Sequence, residues 1–108
     1  MFRRWLVAEG WTPVTPTDRW TDIEAVRGDE RLIGEAKGRT KAKDVDADVL
    51  YGQLLRRMTF TEPTVRYAAI VPTSSAWHIE RVPASVRQLL RIDLYEVTDD
   101  DQVHPRPA

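Results

Sequence analysis

The feature that most constrains the fold is an eight-residue segment, VRYAAIVP at 65–72, which is apolar apart from Arg66. A strand with such a continuous apolar run is typically covered on both faces of its sheet, whereas an alternating strand is covered on one. Helical patterns lie on either side of it in the chain, at 44–58 and at 73–90, the second interrupted at Pro83. The segment therefore predicts an α/β domain with helices on both faces of a sheet.

The other patterned segments complete the predicted element order α-β-β-β-α-β-α-β. A short first helix is expected because Phe2, Trp5 and Leu6 recur at helical spacing. We expect either that the natural chain begins further upstream or that a partner chain supports the first turn of this helix. The remaining strands are predicted at 11–16, 20–27, 30–37 and 92–97. Two prolines in the first of these suit an edge strand or the approach to one. The crossover helices between the later strands predict a mixed sheet.

The helix at 44–58 has acidic residues in its first turn and arginines in its last, as the helix dipole favours. Its predicted buried stripe consists of Val45, Val49, Leu50 and Leu54. Ser74 or Ser75 is the predicted N-cap of the following helix. Residues 1–98 are predicted to form a single domain, and the polar segment 99–108 to be a disordered tail.

Composition excludes several classes of protein. The chain has 108 residues and no cysteine, so disulfides, thiolate zinc sites and cysteine nucleophiles are excluded. Its formal net charge of −1 means that a nucleic-acid binder of this kind would need positive charge gathered locally. The sequence shows neither a membrane span nor a signal peptide, so we expect a soluble cytoplasmic protein.

The segment WTDIEAVRGDERLIGEAKG at 20–38 predicts a β-hairpin with acids in its strands. Gly28 and Asp29 form a two-residue turn signal, with glycine where a type II′ turn requires it. In that register residues pair when their numbers sum to 57, so that Asp22 lies opposite Glu35. Two carboxylates about 4 Å apart repel by on the order of 4 kcal/mol at an effective dielectric constant near 20. The repulsion requires a compensating positive charge.

A divalent cation between the two carboxylates is the compensation that the pattern favours. Oxygen ligands of this kind suit Mg²⁺ or Mn²⁺, which also accept phosphate oxygens of a substrate. Strand alternation puts Lys37 on the same face as Glu35. The same register places Trp20 opposite Lys37, at the expected entrance of the site.

The pattern Asp22, then Glu35-Ala36-Lys37, resembles the motif of the PD-(D/E)XK nucleases. This family includes restriction endonucleases, archaeal Holliday-junction resolvases, and RecB-like and Mrr-like nucleases. The order derived above is similar to the family's core over nearly the whole chain, which implies a restriction-endonuclease-like fold: a mixed central sheet flanked by helices. Two positions depart from the pattern. Thr21 stands where the motif has proline, and Arg57 stands where RecB-like members have tyrosine.

The resemblance implies a Mg²⁺-dependent endonuclease that hydrolyses DNA phosphodiester bonds in repair, recombination or defence, with structure-selective cleavage as one option. Asp22, Glu35 and the Ala36 carbonyl would hold Mg²⁺ or Mn²⁺, with Glu9 either a further ligand or a solvent-facing helix residue. Lys37 and Gln53 would complete the catalytic set. The expected nucleic-acid contacts are Arg39, Lys41, Lys43, Arg56 and Arg57, of which the last two could instead cap their helix.

A domain this small that cut both DNA strands would be expected to act as a homodimer. The alternative hypothesis is a catalytically inactive nuclease-like domain that binds nucleic acid or another protein. The complete set of Asp22, Glu35 and Lys37 favours the enzyme, whereas the near-neutral charge and small size favour the alternative.

Overall fold

The computed structural model describes residues 2–38, 41–58 and 64–106. The helices are α1 (Phe2–Ala8), α2 (Lys43–Arg56), α3 (Thr73–Ile79) and α4 (Ala84–Leu89). The strands are β1 (Thr12–Val14), β2 (Ile23–Arg27), β3 (Glu30–Ala36), β4 (Val65–Pro72), β5 (Ile92–Val97) and β6 (Val103–Arg106). The predicted order is confirmed through β5, with the interruption at Pro83 dividing the third helical segment into α3 and α4.

The strands form one sheet in the order β1-β2-β3-β4-β5-β6. Strand β4 runs parallel to both of its neighbours, β3 and β5, and the other strand pairs are antiparallel. This is the predicted mixed sheet. Because β4 lies inside the sheet and is covered on both faces, its central residues Tyr67–Val71 are all buried, as its continuous apolar run indicated.

Two hydrophobic cores lie on opposite faces of the sheet. On one face, Leu50 and Leu54 of α2 pack with residues such as Ile33 of β3. On the other face, Leu6 of α1 packs with residues such as Leu32, the neighbour of Ile33. Successive residues of a strand point to opposite faces, so β3 contributes to both cores in turn. Full burial of a leucine side chain stabilises the fold by about 1.5–3 kcal/mol.

Helix α1 ends where Gly10 adopts a left-handed conformation with φ of 90°. The N–H of Gly10 donates to the carbonyl of Val7 (3.1 Å), and that of Trp11 donates to the carbonyl of Leu6 (2.9 Å). This pair of bonds is the Schellman arrangement, which satisfies carbonyls that the helix end would otherwise leave unpaired. Trp11 and Leu6 then join the same core.

The predicted hairpin register is confirmed. Gly28 has a φ of 59°, as the first central position of a type II′ turn requires, and the ladder runs from Arg27↔Glu30 to Ile23↔Gly34. Asp22 and Glu35 are the next residues beyond the last of these pairs. The turn therefore fixes which face of the sheet receives the acidic residues.

The buried stripe predicted for α2 was partly wrong. Leu50 and Leu54 are buried as expected, together with Ala47, but Val45 is 60 % exposed and Val49 is 45 % exposed. At 3.6 residues per turn, the two valines lie roughly half a turn around the helix from Ala47. The face of α2 that meets the sheet is therefore set by Ala47 and the two leucines.

The prediction of a disordered tail was also wrong at Val103–Arg106. Residues Val103–Arg106 form β6, which pairs antiparallel with β5. Arg106 donates to both carboxylate oxygens of Glu80 (2.8 and 3.1 Å) and to Glu96 (3.0 Å). These contacts hold the strand although the segment has little apolar content.

Two smaller outcomes concern the helices. The N-cap position of α3 is Pro72, without a side-chain cap bond, so the prediction of Ser74 or Ser75 there was wrong; Ser75 is buried inside the helix.

None of the helices in the described ranges is both long enough and apolar enough to cross a bilayer.

Candidate metal centre

Asp22 and Glu35 lie side by side where β2 begins and β3 ends. The backbone N–H of Ala36 donates to Oδ2 of Asp22 at 3.0 Å. The side chains of Asp22 and Glu35 are close enough to share a hydrogen bond when one of them carries a proton. Because Asp22 is exposed and Glu35 is 0 % exposed, the pair forms a carboxylate cluster with a buried and an open end.

The environment of Glu35 disfavours its charged form. Burial, then the hydrogen bond to Asp22 and the negative charge of Asp22, together raise its pKa to about 7, although the positive charges of Arg57 and Lys37 lower it. When both acids are ionised, no group in the described part of the chain donates a hydrogen bond of good geometry to either carboxylate oxygen of Glu35. A buried charge with unsatisfied oxygens is unfavourable unless a cation or proton joins it.

Arg57 lies inside this site, although the sequence predicted it as a surface contact to nucleic acid. Its Nε is 3.3 Å from Oε1 of Glu35, and its side chain is only 9 % exposed. Its Nη2 donates to the carbonyl of Trp20 at 2.8 Å, and its Nη1 is 3.9 Å from Oδ2 of Asp18. A signal for this position existed in the sequence, since Arg57 follows Leu50 by seven residues on the buried face of α2.

The other two predicted catalytic residues are Lys37, next to Glu35 along the chain beyond Ala36, and Gln53, on the helix whose last turn leads to Arg57. Lys37 donates its backbone N–H to the carbonyl of Ile70 (3.0 Å), which anchors the chain just beyond β3, and its side-chain charge acts on Glu35. Gln53 lies on α2 one helical turn before Arg57. Its Oε1 is buried without a hydrogen-bond partner among the described residues.

The predicted nucleic-acid contacts are distributed unevenly. Lys43 begins α2 and lines a crevice together with Lys37. Lys41 and Arg56 are exposed, as a phosphate contact requires. Arg39 lies outside the described residues.

The structure does not bring Glu9 to the carboxylate pair, and the suggestion that it is a ligand is corrected. The carbonyl of Glu9 accepts a hydrogen bond from Arg27 at 3.0 Å, at the turn end of the hairpin. At about 3.3 Å per strand residue, five residues separate this end from Asp22 by roughly 16 Å. Helix α1 also packs on the face of the sheet opposite to α2, whereas Glu35 lies on the α2 side in contact with Arg57, so Glu9 does not reach the pair.

Glu24 contrasts with Glu35 on the same face of the sheet. It is buried, but its Oε1 accepts bonds from the backbone N–H (3.1 Å) and hydroxyl (3.3 Å) of Thr17, and Oε2 pairs with Arg31. Both carboxylate oxygens of Glu24 therefore have partners within the fold.

The donor set of the site fits a hard divalent cation. Asp22 and Glu35 supply carboxylate oxygens and Ala36 a nearby carbonyl, which are the ligand types that Mg²⁺ and Mn²⁺ prefer. The described ranges contain no cluster of three or more histidine, aspartate or glutamate side chains suited to a metal. A cation here would therefore complete its shell with water or with substrate oxygens, as Mg²⁺ commonly does.

Comparison with known proteins identifies similar folds. No family model matches the chain, and no curated protein matches it. An XisH family protein from Nostoc punctiforme has a similar structure, with a TM-score of 0.62, 14 % identity, and coverage of 88 % of this chain and 85 % of that one. An FdxN element excision controlling factor protein from Anabaena variabilis gives a TM-score of 0.51, 15 % identity, and coverage of 88 % and 84 %. At these identities the similarity shows the fold, and it confirms the α/β architecture with a mixed sheet.

Proposed function

We propose that this chain is a Mg²⁺-dependent endonuclease of the PD-(D/E)XK type that hydrolyses DNA phosphodiester bonds. The observation that carries the proposal is the buried Glu35 beside Asp22, with the charge of Lys37 acting on the same carboxylate. A carboxylate kept only for stability would be fully bonded, as Glu24 is. Glu35 has an ion pair with Arg57 at 3.3 Å, but its ionised oxygens accept no hydrogen bond of good geometry from the described residues, which favours a role with a ligand.

The structural neighbours support DNA as the substrate. One of them is named as an excision controlling factor of the FdxN element, and this chain shares its fold along most of both chains. We extend the DNA-related role to this chain as part of the proposal.

The residues that would hold Mg²⁺ are Asp22, Glu35 and, through its carbonyl, Ala36. Bound Mg²⁺ would supply Lewis-acid chemistry, which polarises a phosphate oxygen and acidifies a water. The ammonium group of Lys37 would donate to the phosphate oxygen on which negative charge develops. The side-chain amide of Gln53 would orient either Lys37 or the phosphate.

Binding of the DNA backbone would rest on local positive charge. Three of the predicted DNA contacts lie within the described residues and outside the carboxylate pair: Lys41, Lys43 and Arg56. Two of them, Lys41 and Arg56, are exposed. Each phosphate that a protein neutralises steepens the salt dependence of binding. One such site cuts one strand, so cleavage of a duplex would require a homodimer.

A second candidate is a nuclease-like domain that binds nucleic acid or protein without catalysis. The contact of Arg57 with Glu35 favours it, because the guanidinium already neutralises the carboxylate. The net charge of −1 favours it as well, since a free domain would gain little long-range attraction to DNA.

A cleavage assay with Mg²⁺ or Mn²⁺ separates the two functions. Labelled duplex, flap, junction and single-stranded DNA would be incubated with wild type, Lys37→Gln and the matched exposed control Lys41→Gln. We expect wild type and Lys41→Gln to cut at least one substrate, and Lys37→Gln to lose about 100-fold or more in rate. Binding of DNA without cleavage by any of the three proteins would support the inactive module instead.

A further inference from the structure

The guanidinium of Arg57 makes three contacts that join the carboxylate site to the loop before β2. Nε lies 3.3 Å from Glu35, Nη2 donates to the carbonyl of Trp20, and Nη1 is 3.9 Å from Asp18. The first partner is fully buried, whereas Trp20 is 63 % exposed and Asp18 is half-buried. Arg57 therefore reaches from a partly open loop into the buried end of the site.

The carboxylate that Arg57 contacts is the one that a divalent cation would need. A metal ion on Glu35 would lie within a few ångströms of the guanidinium, which stays protonated in proteins. Two positive charges at that separation in a poorly hydrated place repel strongly. Simultaneous binding of both cations to Glu35 is unfavourable.

We propose that Arg57 is an internal competitor for the metal site, which holds Glu35 in the free protein and must leave it when a divalent cation binds. The inference rests on the proposed metal-dependent function. It assigns Arg57 an autoinhibitory contact within the site, in place of the surface contact to DNA that its sequence position suggested.

The surroundings of Arg57 allow this exchange without unfolding of α2. Arg57 is the C-cap residue of the helix, and its backbone N–H is bonded to the carbonyl of Leu54 at 3.0 Å. Only its side chain has to turn, and the carboxylate of Asp18 offers an ionic partner nearer the surface. When Arg57 releases Glu35, only the contact between its Nε and Glu35 is lost. The contacts of its guanidinium with the loop before β2 can re-form.

The test is calorimetric titration of Mn²⁺ into metal-free wild type, Arg57→Gln and Arg56→Gln at pH 8.5. This pH is chosen because Glu35, with a pKa of about 7, is then ionised, and protons do not compete with the metal. Arg56→Gln is the matched control, since it removes the same charge from the neighbouring, exposed position. We expect Arg57→Gln to bind Mn²⁺ about tenfold or more tightly than wild type, equivalent to about 1.4 kcal/mol, and Arg56→Gln to stay within about twofold.

The sign of the change separates competition from a structural role. If Arg57 only fastens the loop before β2, Arg57→Gln will bind Mn²⁺ equally or more weakly, and the inference is overturned. Binding by Arg57→Gln but not by wild type would be its strongest support. Absence of binding in all three proteins would overturn the metal site itself, and the inference with it.

A measurement on wild type keeps the inference testable if Arg57→Gln does not fold. The Nε–H resonance of Arg57 is identified by its absence from the spectrum of Arg57→Lys. We expect it to shift and to exchange faster with solvent when Mg²⁺ is added. An unchanged resonance at saturating Mg²⁺ would contradict the release of Glu35.

Discussion

The backbone N–H of Ala36 donates a 3.0 Å hydrogen bond to Oδ2 of Asp22, one position beyond the last pair of the β2–β3 ladder. The bond fixes the Asp22 carboxylate beside Glu35 and orients it by the backbone of β3 itself. The acid pair is therefore positioned by the hairpin, and the hairpin in turn depends on the turn at Gly28.

Asp22 can be tested for a structural role by two substitutions. Asp22→Asn keeps an oxygen acceptor for Ala36 and removes the repulsion with Glu35, so we expect its free energy of unfolding at pH 8.5 to equal or exceed that of wild type. Asp22→Ala loses the hydrogen bond, worth about 1 kcal/mol, and recovers part of that through relief of repulsion. Urea unfolding in a chelator measures both values. A loss above about 2 kcal/mol in Asp22→Asn would mark the carboxylate as structural.

The pKa of Glu35 predicts that the metal-free protein loses stability as pH rises. The folded-state value of about 7 lies above the ordinary value of 4.5, so the folded state binds this proton more tightly than the unfolded state does. Below pH 4.5 the proton on Glu35 stabilises the folded state by about 3 kcal/mol. This stabilisation declines as the pH rises from 4.5 to 7 and is absent at higher pH.

Glu35→Gln carries no titrating group and isolates this effect. We expect its free energy of unfolding to vary less between pH 4.5 and 8 than that of wild type, with the curves diverging in favour of the variant at high pH. Urea titrations at several pH values in a chelator give the comparison. Parallel curves for the two proteins would contradict the raised pKa.

Two glycines should respond to alanine in opposite directions. Gly28 has a φ of 59°, which strains an L-residue, so Gly28→Ala should lower the free energy of unfolding by about 1–2 kcal/mol. Gly52 lies in the interior of α2 with open space where a Cβ would project, so Gly52→Ala should raise it by about 0.5–1 kcal/mol. Thermal or urea unfolding measures both. Equal effects at the two sites would contradict the turn and helix assignments.

The ion pairs of Arg106 should contribute to the attachment of β6. Arg106 forms a two-pronged contact with Glu80 and a further bond to Glu96, all partly exposed. We expect Arg106→Gln to destabilise the fold by on the order of 1 kcal/mol, less at high salt, because exposed pairs are screened. Arg106→Lys should recover little of it, since lysine lacks the forked geometry. The exposed Arg81→Gln is the control, and an equal loss there would argue against a specific role of Arg106.

Local chemistry made the hairpin and the carboxylate pair predictable from the sequence. A two-residue turn with glycine first allows one register, and that register determines the neighbours of Asp22 without knowledge of the rest of the fold. The central position of β4 was predictable for a similar reason, because its apolar run requires cover on both faces.

Features set by distant contacts were not predictable in this way. The side chain of Arg57 turns inward because Glu35 and the Trp20 carbonyl attract it from other elements. Strand β6 forms in a polar segment because β5 offers an open edge and Glu80 a charge for Arg106. The position of Glu9 depends on which face of the sheet α1 packs against, which no local pattern specifies.

Direct Mn²⁺ binding tests the central claim that Asp22 and Glu35 form a metal centre. Calorimetric titration at pH 8.5 would compare wild type with Asp22→Asn, Glu35→Gln and the fully bonded neighbour variant Glu24→Gln. We expect wild type and folded Glu24→Gln to bind one Mn²⁺ per chain, and both site variants to lose binding. Equal Mn²⁺ affinity in wild type, Asp22→Asn and Glu35→Gln would contradict the account.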